Sequence, residues 1–337
     1  MKNGKTFEEF EAVAAKILGA KLSEYDPWIY RYYHSLQSTA GVKQYVRYLE
    51  GKLAFAGVDV KDLVVLDAGC GFGLALVLLG ILGAREMHGF DLYDNMVNTI
   101  KSYEKLLPEH LAKRLEVERA DTSNMPYEDG RFDLVTSIEA ISHYLDEDAF
   151  LREAHRVLKP GGMLLISDGN NERNPSVRRD TMEIWEAFEQ GEVGQQVHGH
   201  TIEMPFVKKR EQLIREQYPK LDDNAVLALA RGTSGMTRDE ILEHCDTHLA
   251  TGELPDGVYE RGTIPVDPIK GDVIERLFDP YELAKRIERL GFQARVTGYW
   301  GGASGKPHLV AANKALSMLG PLAISTAGEF RIAARKL

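Results

Sequence analysis

Hydrophobic positions change their spacing several times along this 337-residue chain. Phe7, Phe10, Val13, Ala14, Ile17 and Leu18 recur at helical intervals, and residues 1–60 as a whole read as helices ahead of the first strand. An aromatic cluster follows within that segment: Tyr25, Trp28, Tyr30, Tyr32 and Tyr33. Such rings ordinarily glue a segment to a core. From Leu63 onward, short Val-, Leu- and Ile-rich runs alternate with helical patterns. The runs begin at Val64-Val65-Leu66 and recur near residues 87–90, 115–118, 132–137 and 163–167. The first of them is apolar without alternation, as a strand buried on both faces should be. The alternation predicts a parallel sheet with helices on both faces.

After Asp168 this pattern stops for about a hundred residues. Residues 180–190, 207–217, 224–231 and 237–249 read as helices, joined by Gly- and Pro-containing loops at 191–206 and 251–271. The α/β pattern resumes at Leu277-Phe278-Asp279-Pro280, with a helix over 281–290 stopped by Gly291 and a sixth strand over 293–299. Residues 329–335 alternate apolar and polar, the mark of an edge strand. The chain therefore divides into an N-terminal helical segment (1–60), a core (61–170 and 276–337) and an insertion (171–275). An insertion after the fifth strand would overhang the ligand-binding edge as a substrate cap. The apolar stretch 309–323 reads first as an ordinary packed helix, with the lining of an acyl pocket or contact with a membrane surface as the alternatives.

The most specific stretch is Asp67-Ala68-Gly69-Cys70-Gly71-Phe72-Gly73. It places three alternate glycines between a buried strand and an apolar helix whose free N–H groups suit a ligand. It resembles motif I of the class I S-adenosylmethionine-dependent methyltransferases. Three later stretches carry the same resemblance: Asp91 at the end of the second strand, Arg119-Ala120-Asp121-Thr122, and Arg156-Val157-Leu158-Lys159-Pro160-Gly161-Gly162, where Pro-Gly-Gly should break helix from strand. It covers residues 60–170. It implies an α/β, Rossmann-like, doubly wound seven-stranded sheet of order 3-2-1-4-5-7-6 with strand 7 antiparallel. It also implies S-adenosyl-L-methionine as methyl donor. By that resemblance Asp67, Gly69, Cys70, Gly71 and Gly73 hold the donor's amino-acid end, Asp91 its ribose and Asp121 its adenine. Leu92, Met96, Thr122 and Ile138 complete the wall, and Tyr25 and Tyr33 close over it.

Composition narrows the partners. With 41 basic and 51 acidic residues the net charge is −10, which argues against nucleic acid. The basic triplet Lys208-Lys209-Arg210 reads as a solvated helix face. Two cysteines, Cys70 and Cys245, cannot form a disulfide framework, which suits a cytoplasmic location. Apolar runs fall short of the ~18 residues of a membrane span, and the acidic N-terminus does not read as a signal peptide. The expected partner is a small-molecule acceptor, and a homodimer is compatible with the reading.

Methyl transfer needs alignment, exclusion of water and, for a protic acceptor, a base. Polar side chains after strands four and five are the candidates: Glu139, Ser142, His143 and Asp168. His198-Gly199-His200 would put two imidazoles on one side of an extended segment. His244 and His248 stand at i, i+4, a metal-ligand spacing, but no further ligands are evident and no metal is expected. Two competing readings remain at this level, a nicotinamide-dependent oxidoreductase and a non-catalytic donor-binding module. Leu74 stands where the dinucleotide fingerprint has its third glycine, against the former.

Overall fold

The computed structural model describes residues 2–255, 259, 262–303 and 305–337. Five residues of the loop expected over 251–271, and residue 304, therefore lie outside the described residues. In chain order the elements are α1 (Lys2–Ala20), α2 (Trp28–Tyr32), α3 (Thr39–Ala56), β1 (Val64–Ala68), α4 (Leu74–Ile81), β2 (Glu86–Asp91), α5 (Asp94–Glu104), α6 (Glu109–Ala112), β3 (Leu115–Arg119), β4 (Phe132–Ile138), α7 (Glu147–Val157) and β5 (Leu158–Asp168). Then follow α8 (Pro175–Gln190), β6 (Gln196–Val197), β7 (His200–Thr201), α9 (Phe206–Gln217), α10 (Asp223–Gly232), α11 (Arg238–Thr251), α12 (Pro280–Arg289), β8 (Phe292–Tyr299), α13 (Pro307–Met318) and β9 (Glu329–Lys336).

The chain divides into two units. The first holds residues 1–141, 146–173 and 279–337, and the second holds 142–145 and 174–278. The first unit is built on a seven-stranded sheet of order β3-β2-β1-β4-β5-β9-β8, the expected doubly wound order. β1 to β5 pair in parallel, and β9 runs antiparallel to both β5 and β8. Parallel strands joined by right-handed crossovers put their carboxyl ends at one edge, where open α/β sheets bind ligands. All five residues of β1 are buried, and α4 inserts Leu74, Leu76, Val77, Leu78 and Leu79 into the same core.

Three expectations about this unit need correction. β9 is no edge strand: it lies between β5 and β8, and its first six residues, Glu329 and Arg331 included, are buried. Pro160-Gly161-Gly162 does not separate α7 from β5. The strand starts at Leu158 directly after the helix, and the glycines sit in a register shift where Phe132 pairs with Leu158 but Leu134 with Met163. Most of the apolar stretch forms helix α13, yet no residue of that helix is buried: Met318 at its end is 81% exposed, and Leu322 just beyond it 85%. It is tethered instead by polar contact, Trp300 N–H donating to Asn313 Oδ1 at 2.9 Å.

In the second unit α9, α10 and α11 enclose Leu213, Ile214, Val226, Leu229, Ala230, Ile241 and Cys245. The basic triplet is not a solvated face. Lys208 is exposed, but Lys209 pairs with Asp267 at 2.6 Å, and Arg210 is wholly buried against Glu189 while donating to Ala230 O at 2.6 Å. A buried guanidinium requires such a carboxylate. Residues 196–201, expected as loop, form the β6–β7 hairpin, turning at His198 and Gly199 with φ of 43° and 87°. Among the described residues no helix is long and apolar enough to cross a membrane.

Where the chain re-enters the first unit, Asp279 caps α12, its Oδ1 accepting from Tyr281 N–H at 2.9 Å, while Oδ2 pairs with Arg173 Nε at 2.9 Å. Asp279→Ala should lower the first unit's stability by about 1 kcal/mol through the lost cap. Asp279→Asn, which keeps a capping oxygen, should cost less. Urea unfolding followed by circular dichroism checks this, and equal losses in the two variants would assign the effect to the ion pair.

Candidate active site

The glycine turn connects β1 to α4 at the carboxyl edge of the sheet. Gly69, Gly71 and Gly73 all have positive φ, at 68°, 55° and 74°. A Cβ on Gly73 would stand 2.9 Å from both Ile100 Cδ1 and Tyr103 Oη, so both backbone and space require glycine there. The turn is braced from three sides. Tyr103 donates to Phe72 O at 2.8 Å, Leu74 N–H donates to the Tyr33 hydroxyl at 3.2 Å, and Gly71 N–H donates to Asp91 Oδ2 at 2.9 Å. The other oxygen of Asp91 accepts from Tyr93 N–H at 3.0 Å. β2 and the glycine turn are therefore tied through one carboxylate.

The remaining donor residues of the sequence reading lie at the ends of neighbouring strands. Asp67 is buried in β1 and accepts from Thr136 Oγ1 at 2.6 Å; burial pushes its carboxyl up to about 7. Asp121 lies past the end of β3 and is exposed, its Oδ1 accepting from Ser123 N–H and Oγ at 2.8 Å each. Ala120 N–H donates to Asp91 O at 3.2 Å, which sets the Asp121 loop beside the end of β2. Leu92 is exposed, while Met96, Thr122 and Ile138 are half-buried. Cys70 is buried, and burial raises its thiol well above the ordinary range, as a small apolar filler requires. Tyr33 serves as the brace already described. Tyr25 is buried edge-on against Tyr103, with ring centroids 6.4 Å apart.

Sequence reasoning passed over Tyr32. Its ring is half exposed, and its hydroxyl would lie 3.9 Å from a Cβ on Gly71. Crowding by protein, then the charges of Glu139, Asp67 and Asp91, push that hydroxyl up to about 12. Glu139, at the end of β4, has φ of 53°; its N–H donates to Ser167 O at 2.8 Å and its Oε2 accepts from Gly169 N–H at 3.1 Å. Asp168, at the end of β5, is buried, with Oδ1 accepting from Asn170 N–H at 2.9 Å.

The other sequence candidates belong to the second unit. His143 Nδ1 lies 3.3 Å from Val273 O, and Ser142 O accepts from Arg276 N–H at 2.8 Å. His200 Nε2 lies 3.4 Å from Glu275, and the charges of both His200 and His143 act on that carboxyl. Glu275 is thus the group that joins two of the three histidines, and its pKa is lowered chiefly by the His200 hydrogen bond. Its φ of 50° gave no sequence signal. His198 stands apart at the hairpin turn, 2.7 Å from Glu183, so the two imidazoles do not share an extended segment. With Asp180 these form the one group of possible metal ligands among the described residues; Asp180 also pairs with Arg179. Of the i, i+4 histidines, His248 meets Glu253 O at 2.9 Å, and Cys245 between them is core.

The charges of three acids, Asp67, Asp91 and Glu139, all act on the Tyr32 hydroxyl beside the glycine turn. A ligand bearing an ammonium and a sulfonium relieves that charge, whereas a pyrophosphate would add to it. The sheet order is the one expected for a class I S-adenosylmethionine-dependent methyltransferase, and the acids beside the glycine turn agree with that expectation. Residues 66–166 match the family described as "Methyltransferase domain", and the chain carries that domain. It is 33% identical over 146 residues to the chloroplastic tocopherol O-methyltransferase of Arabidopsis thaliana, covering 42% of this chain and 41% of the relative. It is 31% identical over 156 residues to norajmaline N-methyltransferase of Rauvolfia serpentina, covering 44% and 51%. It is 29% identical over 159 residues to sterol 24-C-methyltransferase of Kluyveromyces lactis, covering 46% and 41%. The chain thus spans about half or less of the length of these relatives.

An ionised Asp67 would pair with a ligand's ammonium, and on that expectation S-adenosylhomocysteine affinity should rise with pH until it levels above about 7. Calorimetry below that pH should detect proton release on binding, and Asp67→Asn should abolish it. The folding linkage has the opposite sign. A carboxyl raised in the fold makes the ligand-free protein lose stability as pH rises from the unfolded value of about 4 to about 7. A flat affinity from pH 6 to 8 would remove Asp67 from the ammonium site.

Proposed function

We propose that the protein is an enzyme that methylates O, N or C of a small-molecule acceptor, a metabolite, sugar or lipid-like compound, by in-line transfer. The observation that supports this most directly is the acid-lined glycine turn. When bound there, S-adenosylmethionine supplies a methyl carbon already activated by a sulfonium. In this reading Asp67 pairs with the donor's ammonium, Asp91 takes the ribose and Asp121 the adenine. Leu92, Met96, Thr122 and Ile138 exclude water from the purine. Tyr32 covers the glycine turn, and Tyr33, with Tyr25 packed behind it, holds that turn in shape.

The acceptor is selected by the helical unit, the residues 171–275 expected as a cap, which the chain enters from the carboxyl ends of β4 and β5. Within that unit His143, Glu275 and His200 form the polar group suited to a hydroxyl or amine on the acceptor. His198, committed to Glu183, takes a lesser part. Relatives that methylate tocopherol, norajmaline and a sterol support a small organic acceptor. The net charge of −10 supports the absence of a nucleic-acid partner. Two buried free thiols favour a reducing, cytoplasmic setting, and a homodimer is compatible with it.

A screen with methyl-labelled S-adenosylmethionine across phenols, amines, sugars and prenylated or sterol-like compounds should find label transfer to one class. For that acceptor, Glu275→Gln and His200→Ala should raise KM about tenfold or more, the cost of one hydrogen bond to a charged group. S-adenosylhomocysteine affinity should stay unchanged. Donor binding without transfer to any class would favour the non-catalytic reading.

A further inference from the structure

Behind Glu139 lies a cluster of buried charge that donor binding does not use. α3 contributes Tyr48 and Lys52, β5 contributes Asp168, and β9 contributes Glu329 and Arg331. Lys52 is wholly buried, with Nζ 3.6 Å from Glu329 and 3.7 Å from Glu139, and no hydrogen bond. Arg331 Nε donates to Glu329 Oε1 at 2.7 Å, and its guanidinium stacks 4.0 Å over the Tyr299 ring. The Tyr48 hydroxyl stands between two carboxylates, 2.5 Å from Glu329 Oε2 and 3.0 Å from Glu139 Oε1. Glu139 alone opens outward, its side chain 41% exposed.

One hydroxyl carries one proton and cannot donate fully to two carboxylates. With the proton on the shorter bond, toward Glu329, the Tyr48 oxygen offers a lone pair to Glu139 Oε1. That contact is completed only when Glu139 itself brings a proton. The cluster also carries more acids than bases: among the described residues Lys52 feels three acids, Glu139, Glu329 and Asp168, and one further cation, Arg331. Leaving a buried charge unpaired is costly. The arrangement therefore holds a site for one more proton, at the residue whose side chain opens outward.

We infer that Glu139 is the proton acceptor of the transfer step, with Tyr48, Lys52, Glu329 and Arg331 as its positioning residues, and that the acceptor substrate is protic, an alcohol, phenol or amine. This rests on the reading given under Proposed function. As the acceptor's O or N bonds to the methyl carbon, the carbon–sulfur bond breaks and sulfur keeps the electron pair. The acceptor's proton moves to Glu139 Oε1, which then donates to Tyr48, while Tyr48 donates to Glu329. Burial, opposed by Lys52 and reinforced by Asp168 and Glu329, pushes Glu139 up to about 7, where a base works at neutral pH. The facing titratable and charged groups from neighbouring elements are Tyr32, Tyr48, Lys52, Asp67, Asp91, Asp168, Glu329 and Arg331.

The test uses two probes on the full chain, S-adenosylhomocysteine and sinefungin, whose amine replaces the methyl-bearing sulfonium. Both carry the same amino-acid ammonium, so their affinity ratio cancels the Asp67 effect. In the wild type the sinefungin preference should grow roughly tenfold between pH 6 and 8 as Glu139 ionises. Glu139→Gln should abolish this growth while leaving S-adenosylhomocysteine affinity within about threefold. Lys52→Met should move the midpoint to higher pH, because the cation that favours ionisation is gone, and Lys52→Arg should restore it. With the acceptor found by the label screen, Glu139→Gln should lower turnover roughly 10²–10⁴-fold. An unchanged ratio or a loss of less than threefold in a folded Glu139→Gln overturns the proposal, and an unmoved midpoint in Lys52→Met removes Lys52 from it. Should Lys52→Met not fold, the Glu139→Gln pair of measurements decides alone. Failure of S-adenosylhomocysteine to bind the wild type would sink the donor reading instead.

Discussion

The carboxylates crowded at the carboxyl edge of the sheet are the constraint to which the rest of the first unit answers. Asp67, Asp91, Glu139 and Asp168 close β1, β2, β4 and β5, all within one small region. An acid taken out of water must be protonated, hydrogen-bonded or paired. Each is treated differently. Asp91 is satisfied by backbone N–H groups of its own turn and of the glycine turn, so its charge becomes a structural tie. Asp168 receives a backbone N–H from its own turn. Asp67 receives one hydroxyl and is otherwise left to burial. Glu139 is set against Lys52 and Tyr48. Two of these acids, Asp67 and Glu139, are pushed up to about 7, burial being the chief cause in both. They are the pair whose ionisation a cationic ligand would change most.

That division explains what the sequence made legible. Glycines at alternate positions, an acid ending a strand and Pro or Asp at helix starts are local devices, and local devices leave local traces. The helix expected over 281–290 is Pro280–Arg289 because Asp279 caps it and Gly291 ends it. The helix expected over 207–217 is Phe206–Gln217 for a similar reason, its start fixed by Pro205. The turns that carry the residues expected to hold the donor were readable for the same reason.

What could not be read depends on partners far apart in the chain. Alternation in β9 would send Glu329 and Arg331 to solvent, but the strand is inserted between two others; Glu329 is absorbed by α3 residues some 280 positions earlier, and Arg331 by Glu329 and the Tyr299 ring. The basic triplet in α9 failed the same way, since nothing near Arg210 in sequence announces Glu189. Apolar content misled in the opposite sense at α13, where hydrophobic residues stay exposed. Periodicity reports which face could be buried, and the neighbour that buries it is a matter of topology.

Glu139 joins the local and the distant. Its φ of 53° is a conformation that costs a residue with a Cβ on the order of 1 kcal/mol, and one that glycine adopts freely. The turn it makes serves the backbone alone: its N–H reaches Ser167 O and closes β4 onto β5. Glycine would make the same turn more easily. The side chain is therefore held at a backbone cost, aimed by Gly169 N–H from one side and by Tyr48 and Lys52 from the other. Strain of this kind persists where the surroundings over-determine the residue. Here the surroundings are a hydroxyl, an ammonium and a strand of opposite polarity, drawn from the start, the middle and the end of the chain. The reversed strand β9 is what makes that convergence possible. Running antiparallel, it brings its amino end, and with it Glu329 and Arg331, to the edge where β4 and β5 finish. A parallel strand in that place would deliver its carboxyl end to the edge instead, and Glu139 would open outward without the charges that tune it.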